Sequence, residues 1–164
     1  MNCPACGAAM HPQGDHFVCD YCHNVVVPEA DEDGIRVLSP DPGQKNCPVC
    51  TLPLNQASLA GMDLLYCTKC HGELVPMPQL EPLVDQLRVS SGGKTAVQPA
   101  PDAHDLDRRI PCPQCRKTMD THYYAGPGNV VLDSCEDCDL IWLDRGELAH
   151  IAHAPDHYAA DNDE

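Results

Sequence analysis

Short apolar runs separated by turn residues recur along the chain, and this pattern predicts small β-hairpins. The first arm is Phe17-Val18, and the β-branched run Val25–Val27 predicts a further strand. Another short strand is predicted at 35–38. The predicted hairpin turns are Gln13-Gly14-Asp15, Ala60-Gly61-Met62 and Gly126-Pro127-Gly128-Asn129. The arms beside the later two turns are Leu64-Leu65-Tyr66, Tyr123-Tyr124 and Val130-Val131-Leu132.

Apolar residues recur with helical spacing after the second hairpin. Proline is tolerated in a helix only within its first turn, so Pro82 predicts that this helix begins near Glu81. The apolar positions are Leu80, Leu83, Val84 and Leu87.

A second helix is predicted after the third hairpin. Asp144 and Glu147 match a capping box, in which the first residue is the N-cap and the second reaches back to its N–H. Pro155 ends this helix. Its short apolar stripe is Leu148, Ile151 and Ala152.

Each hairpin joins two C-x-x-C pairs, a spacing typical of tetrahedral metal sites. A C-x-x-C turn places two sulfurs on one side, and a hairpin brings two such turns together. The gaps between pairs are 12, 16 and 19 residues, and all twelve cysteines are used. We therefore predict three zinc ions, one for each set of four thiolates. The sets are Cys3, Cys6, Cys19 and Cys22; Cys47, Cys50, Cys67 and Cys70; and Cys112, Cys115, Cys135 and Cys138.

Other chemistry at these cysteines is less favoured. Redox-active C-x-x-C pairs do not need a second pair at metal-ligand spacing. Iron can occupy the same four-thiolate geometry, so it remains the alternative ion. Cys19–His23 and Cys67–His71 match the haem pattern C-x-x-C-H, but each already has an upstream pair of cysteines as partner. His23 and His71 are predicted to be surface residues or donors to the metal ligands.

Composition supports folding around metal. The chain has one Trp, one Phe and five Tyr, with sixteen Pro and eleven Gly, which leaves little material for a large core. Each predicted unit spans roughly 25 to 45 residues, below the size at which a core usually suffices. Structural zinc contributes about 10–16 kcal/mol per site. The predicted fold class is a small metal-stabilised α+β protein of three tandem four-cysteine zinc ribbons, with helices after the second and third.

The predicted domains follow the cysteines. Unit one is ribbon 1–27, unit two is ribbon 46–88 with its helix, and unit three is ribbon 110–153 with its helix. Segment 28–45 is predicted to be an acidic, proline-containing linker, segment 89–109 a flexible linker, and segment 154–164 an acidic tail.

The formal net charge is −15, and three zinc centres of four thiolates each would bring it to about −21, since each adds −2. This charge opposes general nucleic-acid binding, which needs Lys and Arg against phosphates. A basic cluster near unit three is the exception, and compensation of the anionic zinc centre is its simpler explanation. The cluster comprises Arg108, Arg109, Arg116 and Lys117.

No apolar signal-peptide core follows Met1, and no run of 18 apolar residues occurs. We expect no membrane span and a reducing cytoplasmic location, where paired cysteines favour metal over disulfide.

Unit three resembles a known family, the bacterial TFIIB-type zinc-ribbon or transcription factor zinc-finger domain. The family pattern is CPxC, a hairpin, an Asp two residues before a second CxxC, and W-L-D-x-G-E-L. Here these are Cys112 to Cys115, Asp133, Cys135 to Cys138, and Trp142 to Leu148. Unit two has Leu74 to Leu80 in place of the last motif, and unit one retains only the cysteines. The resemblance implies zinc binding by each set of four cysteines and implies little about activity.

Two features of the third unit allow more than one interpretation. Trp142 is predicted to pack the ribbon against its helix, with an exposed anchor for a partner as the alternative. His150, His153 and His157 have helical spacing, but Pro155 interrupts the stripe, so a fourth metal site is disfavoured.

No catalytic constellation is evident: filled four-cysteine cages have no open position for water, and neither a nucleophile elbow nor a phosphate-binding glycine loop occurs. We therefore expect a non-catalytic zinc protein that binds protein partners as an adaptor. Contact with nucleic acid or the transcription machinery is the first alternative, and a rubredoxin-like iron carrier or thiol oxidoreductase is the second.

Overall fold

The computed structural model describes residues 1–97 and 99–155, which form short antiparallel strands and two short helices. Within these ranges no helix combines the length and apolar character needed to span a bilayer. The strands are β1 Met10–Gln13, β2 His16–Cys19, β3 Val25–Val26, β4 Arg36–Pro40, β5 Asn55–Leu59, β6 Met62–Tyr66, β7 Glu73–Pro76, β8 Asp120–Tyr123, β9 Val131–Cys135 and β10 Leu140–Leu143. The helices are α1 Leu80–Ser90 and α2 Glu147–His153, with 3-10 turns at Met77–Gln79 and Ala103–Asp107. The predicted fold class is confirmed.

The strands form two sheets. Unit one has its own three-stranded sheet in the order β1-β2-β3. Units two and three share one seven-stranded sheet in the order β4-β5-β6-β7-β10-β9-β8. The second and third ribbons are therefore joined by pairing of β7 with β10, and the predicted hairpin turns connect β1 to β2, β5 to β6 and β8 to β9.

All three units have the same strand register when it is counted from their cysteines. The sixth residue after the first C-x-x-C pairs with the residue two before the second, and that residue pairs with the fourth residue after the second C-x-x-C. These rows are Pro12, Phe17 and Val26 in unit one; Gln56, Leu65 and Leu74 in unit two; and Thr121, Asp133 and Trp142 in unit three. Unit one, which retains only the cysteines of the family pattern in its sequence, thus has the same β core.

The contact between β7 and β10 has local two-fold symmetry. Leu74 and Trp142 each lie four residues after the last cysteine of their unit, and they pair with each other. The flanking pairs, Val75 with Ile141 and Glu73 with Leu143, join the fifth position to the third in both directions. The two ribbons therefore associate as a pair related by a dyad at Leu74 and Trp142.

Both helices cover one face of the seven-stranded sheet. Helix α1 begins at Leu80, next to the predicted start, and Pro82 lies in its first turn. Fully burying a leucine or isoleucine side chain contributes about 1.5–3 kcal/mol, so this layer is the main apolar core of units two and three. Buried residues of this core include Val75, Leu80, Leu83, Val84, Leu143, Leu148 and Ile151.

The start of α2 differs in part from the predicted capping box. A carboxylate oxygen of Glu147 accepts from the backbone N–H of Asp144 at 2.7 Å, as predicted. The N-cap is Gly146 in a left-handed conformation, and no side chain caps the helix there. The Asp144 carboxylate instead accepts from the Trp142 indole and from Arg108. Those donors compete for the side chain that would otherwise cap the helix.

The short strand predicted at 35–38 is present as β4, which pairs with β5 at one edge of the large sheet. Ile35 beside it is buried in the same core as α1 and α2. Part of segment 28–45 therefore adds a fourth strand to unit two. Segment 89–109 includes the last turn of α1 and the 3-10 turn Ala103–Asp107, which contacts β8.

Candidate metal centres

Each C-x-x-C pair is folded as a tight turn that ends in a left-handed residue. In five of the six turns, the backbone N–H of that residue donates to the carbonyl of the first cysteine, at 2.9 to 3.1 Å. This closes the turn and directs both sulfurs to one side. The turn after Cys135 differs, because Asp139 donates to Glu136 at 3.4 Å. The six left-handed residues are Gly7, His23, Thr51, His71, Arg116 and Asp139.

The twelve sulfurs form three groups of four, in the sets predicted from sequence, with the sulfurs of each group within 4.8 Å of one another. Sulfur–sulfur distances of 3.5 to 3.7 Å occur in all three groups. A tetrahedral centre with metal–sulfur bonds of about 2.3 Å requires about 3.8 Å between sulfurs. The three groups therefore fit three metal ions, and their all-thiolate chemistry suits zinc or iron.

Backbone N–H groups point at several of the sulfurs. The N–H of Cys50 lies 3.2 Å from the Cys47 sulfur, and the N–H groups of Ala5 and Gln114 lie 3.4 Å from Cys3 and Cys112. Such donors stabilise thiolate over thiol, the form that binds metal. The turns are thus preorganised to bind a cation.

The thiols of unit three have pKa values that diverge. The backbone N–H of Lys117 and the neighbouring thiols lower the pKa of Cys115 to about 7. Burial, followed by the adjacent Cys115 and Cys135, raises the pKa of Cys138 to about 12. Four adjacent thiols cannot all lose their protons without a cation, because neighbouring thiolates repel. A divalent ion removes that repulsion and releases protons as it binds.

Burial distinguishes the centres. In every group the first cysteine of each pair is buried, and the second is more accessible. In units two and three the second cysteines are only partly exposed, whereas Cys6 and Cys22 of unit one are exposed. The centre of unit one is therefore the most accessible to chelators.

A buried ion-pair network supports the centre of unit three. Asp133, which is 0% exposed, accepts from Arg108 at 2.5 Å and from the Thr121 hydroxyl at 2.5 Å. The second fork of Arg108 binds Asp144 at 2.5 Å. Arg108 therefore ties the segment before the first C-x-x-C to the strand that leads into the second. The sequence marked Asp133 through the family pattern, but nothing local indicated that Arg108 is its partner.

Two residues of the predicted basic cluster are paired with carboxylates. Arg108 is paired as described, and Lys117 contacts Asp137 at 2.6 Å. The Arg109 guanidinium donates to the carbonyls of Leu106 and Arg108 at 2.8 and 2.7 Å. Carboxylates therefore offset the charges of Arg108 and Lys117, whereas a carbonyl does not neutralise the charge of Arg109.

Trp142 packs between units two and three. Its ring is 0% exposed and lies in an apolar cluster with Leu74 and cysteines of both units. A Cβ on Gly72 would overlap the Trp142 ring, 2.8 Å from Cη2. The residue therefore packs a ribbon against a ribbon, where the sequence predicted packing of ribbon against helix, and an exposed anchor at this position is excluded.

The histidines take separate places. The backbone of His71 follows Cys70, and its ring Nδ1 lies 2.5 Å from the Tyr66 hydroxyl, which donates to Asp31. His150 and His153 lie in α2 and belong to no metal-ligating group within residues 1–97 and 99–155. His157 and the rest of the tail from residue 156 lie outside the described residues.

The comparisons with known proteins agree with unit three. Residues 111–154 match the model of the transcription factor zinc-finger family, a zinc ribbon of the TFIIB type. Unit three is therefore similar to the zinc ribbons of this family. The family match covers this segment, and units one and two have the same strand register as unit three. No curated protein and no solved structure matches the chain.

Proposed function

We propose that this chain is a non-catalytic zinc protein that uses its ribbons as a rigid adaptor for protein partners. The observation that carries the proposal is that every cysteine belongs to a group of four sulfurs at tetrahedral spacing. Four thiolates complete the coordination of zinc, so such a centre organises the fold and has no open position for a substrate. The arrangement favours a scaffold over a catalyst.

The remaining features support a binding role. Units two and three are joined by pairing of β7 with β10 and by contact between α1 and α2, which gives one continuous body that can present a fixed surface. The charge of −15 favours partners that carry basic residues. Twelve cysteines that form no disulfide suit a reducing compartment such as the cytoplasm.

The metal content is the first test. The chain is purified without added metal and analysed by elemental mass spectrometry and absorption spectroscopy. We expect three zinc ions per chain and no visible absorption. Coloured protein with bound iron would favour the electron-carrier alternative, and fewer than two ions with promptly reacting thiols would contradict the proposal.

The adaptor role has its own test. Holo protein is compared with a Cys112→Ser/Cys115→Ser variant, which lacks two ligands of unit three, as bait in native lysate, with cross-linking before capture. We expect the same protein to be recovered repeatedly with the parent and to be depleted with the variant. Repeated failure to recover any partner would reject the adaptor role but would not affect the assignment of the metal centres. A mobility-shift series at low salt tests the nucleic-acid alternative, for which we expect no binding.

A further inference from the structure

Among the residues that the structure describes, the outer strand of unit one has no partner at its outer edge, unlike the same strand in units two and three. Strand β3 lies at the edge of the small sheet, and its counterparts β7 and β10 pair with each other inside the large sheet. Unpaired edge strands are templates for further strand pairing, which proteins usually block with a very short strand, a proline, charge or a bulge. No charged side chain lies between Tyr21 and Pro28.

We propose that two copies of this chain associate through β3 of unit one, in the antiparallel geometry that β7 and β10 already use within the chain. Val26 occupies the position of Leu74 and Trp142, four residues after the last cysteine. Val26 of one copy would then pair with Val26 of the other, and Val25 would pair with Val27. The result is a six-stranded sheet about a two-fold axis.

The sequence of β3 is compatible with this pairing. Unit one has Val25-Val26-Val27-Pro28 where unit two has Glu73-Leu74-Val75-Pro76. The proline of unit two pairs with Leu140 at the end of the β7–β10 contact, so a proline at this position does not prevent pairing. Pro28 therefore does not block the edge.

Apolar side chains of β3 and of the residue after it are exposed to solvent. Val25 is 52% exposed and Val27 is 53% exposed. At the same positions of units two and three, Val75, Ile141 and Leu143 are buried in the core that includes α1 and α2. No helix follows β3, since residues 27–35 run without regular structure towards β4. Pairing of two copies would place Val25 and Val27 of each copy side by side and remove part of this apolar surface from water.

The contact is small, so the association is expected to be weak and dependent on concentration. Sedimentation equilibrium of the zinc-loaded parent, in a phosphine reductant that prevents disulfides, covers about 5 µM to about 1 mM, which spans weak dissociation constants. We expect the mass to rise from 17.8 kDa towards twice that value. A parent that stays monomeric throughout this range overturns the proposal. Binding of β3 to a different protein, without self-association, would also overturn it.

Two charge variants test the register. Val25→Lys/Val27→Lys places like charges opposite each other and should weaken association by about tenfold. Val25→Lys/Val27→Glu keeps two charges on the strand but makes each cross-strand pair opposite in sign, and its association should return to within about threefold of the parent. A parallel arrangement would pair each position with itself and would weaken both variants equally.

The control is Val89→Lys, which changes an exposed valine on α1 far along the chain. It should dimerise like the parent. Zinc content and far-ultraviolet circular dichroism of every variant verify that unit one remains folded. If the double-lysine variant associates as strongly as the parent, β3 is not the contact and the proposal is wrong. The adaptor role does not depend on this outcome.

Discussion

The substitution Gly72→Ala is a direct test of the contact between units two and three. The added methyl group would overlap the Trp142 ring, lying 2.8 Å from Cη2 and 2.9 Å from Cε2, closer than real side-chain carbons approach. The ring is fully buried and cannot swing into solvent. Forcing extra carbon into a packed core costs about 1–3 kcal/mol.

A second loss follows if the ring moves. The Trp142 indole N–H donates to Asp144 at 3.1 Å, and a displaced ring gives up that bond, worth about 1 kcal/mol. We therefore expect Gly72→Ala to lower the free energy of unfolding by about 3 kcal/mol. Trp142 is the single tryptophan of the chain, so its fluorescence reports this contact without interference.

The assay is denaturant unfolding of zinc-loaded protein followed by Trp142 emission. Gly61→Ala is the matched control, because its methyl group meets nothing within 4 Å although Gly61 has a φ of +79°. A left-handed alanine costs about 1–2 kcal/mol. We expect the larger loss at Gly72, whose backbone is unremarkable. If Gly72→Ala unfolds within about 0.5 kcal/mol of the parent with unchanged emission, the packing argument is refuted.

Three further predictions concern the ion pairs, the pH dependence and the metal. Arg108→Ala leaves the buried Asp133 carboxylate without its cation and should lower the free energy of unfolding by about 3–5 kcal/mol. The control Arg109→Ala should cost little, because Arg109 contacts only backbone carbonyls. Equal losses for the two variants in denaturant unfolding would contradict the ion-pair network. Burial, followed by Asp33 and other nearby carboxylates, raises the pKa of Glu73 to about 8 from 4.5, so folding holds this proton and stability should fall as pH rises between those values. Burial also raises the pKa of Glu147 to about 8, so Glu73→Gln should remove about half of the decline of stability with pH. The measurement is a set of denaturant unfolding curves between about pH 6 and about pH 9. A decline as steep as that of the parent would contradict the assignment to Glu73. Under a strong chelator, metal should leave unit one first because Cys6 and Cys22 are exposed. Once all metal is removed, the dispersion of amide signals in NMR spectra should collapse in all three units. Dispersion that persists without metal would show that the core folds alone.

Local spacing within the sequence determined the three centres. A C-x-x-C pair closes its turn with its own backbone, and a hairpin of 12 to 19 residues can bring two such turns together without help from elsewhere. The hairpin turns and the start of α1 near Pro82 were also predictable, because turn residues and proline restrict the backbone locally. The family pattern of unit three, including Asp133, was also visible in the chain.

The tertiary structure alone decided how these units combine. The pairing of β7 with β10, the burial of Trp142 against Gly72 and the partnership of Arg108 with Asp133 join segments distant in sequence. Each depends on which surfaces remain uncovered once the hairpins have formed, and no periodicity records that choice. The same holds for β3: its sequence resembles that of β7, but only the folded chain shows that one strand is covered and the other is open.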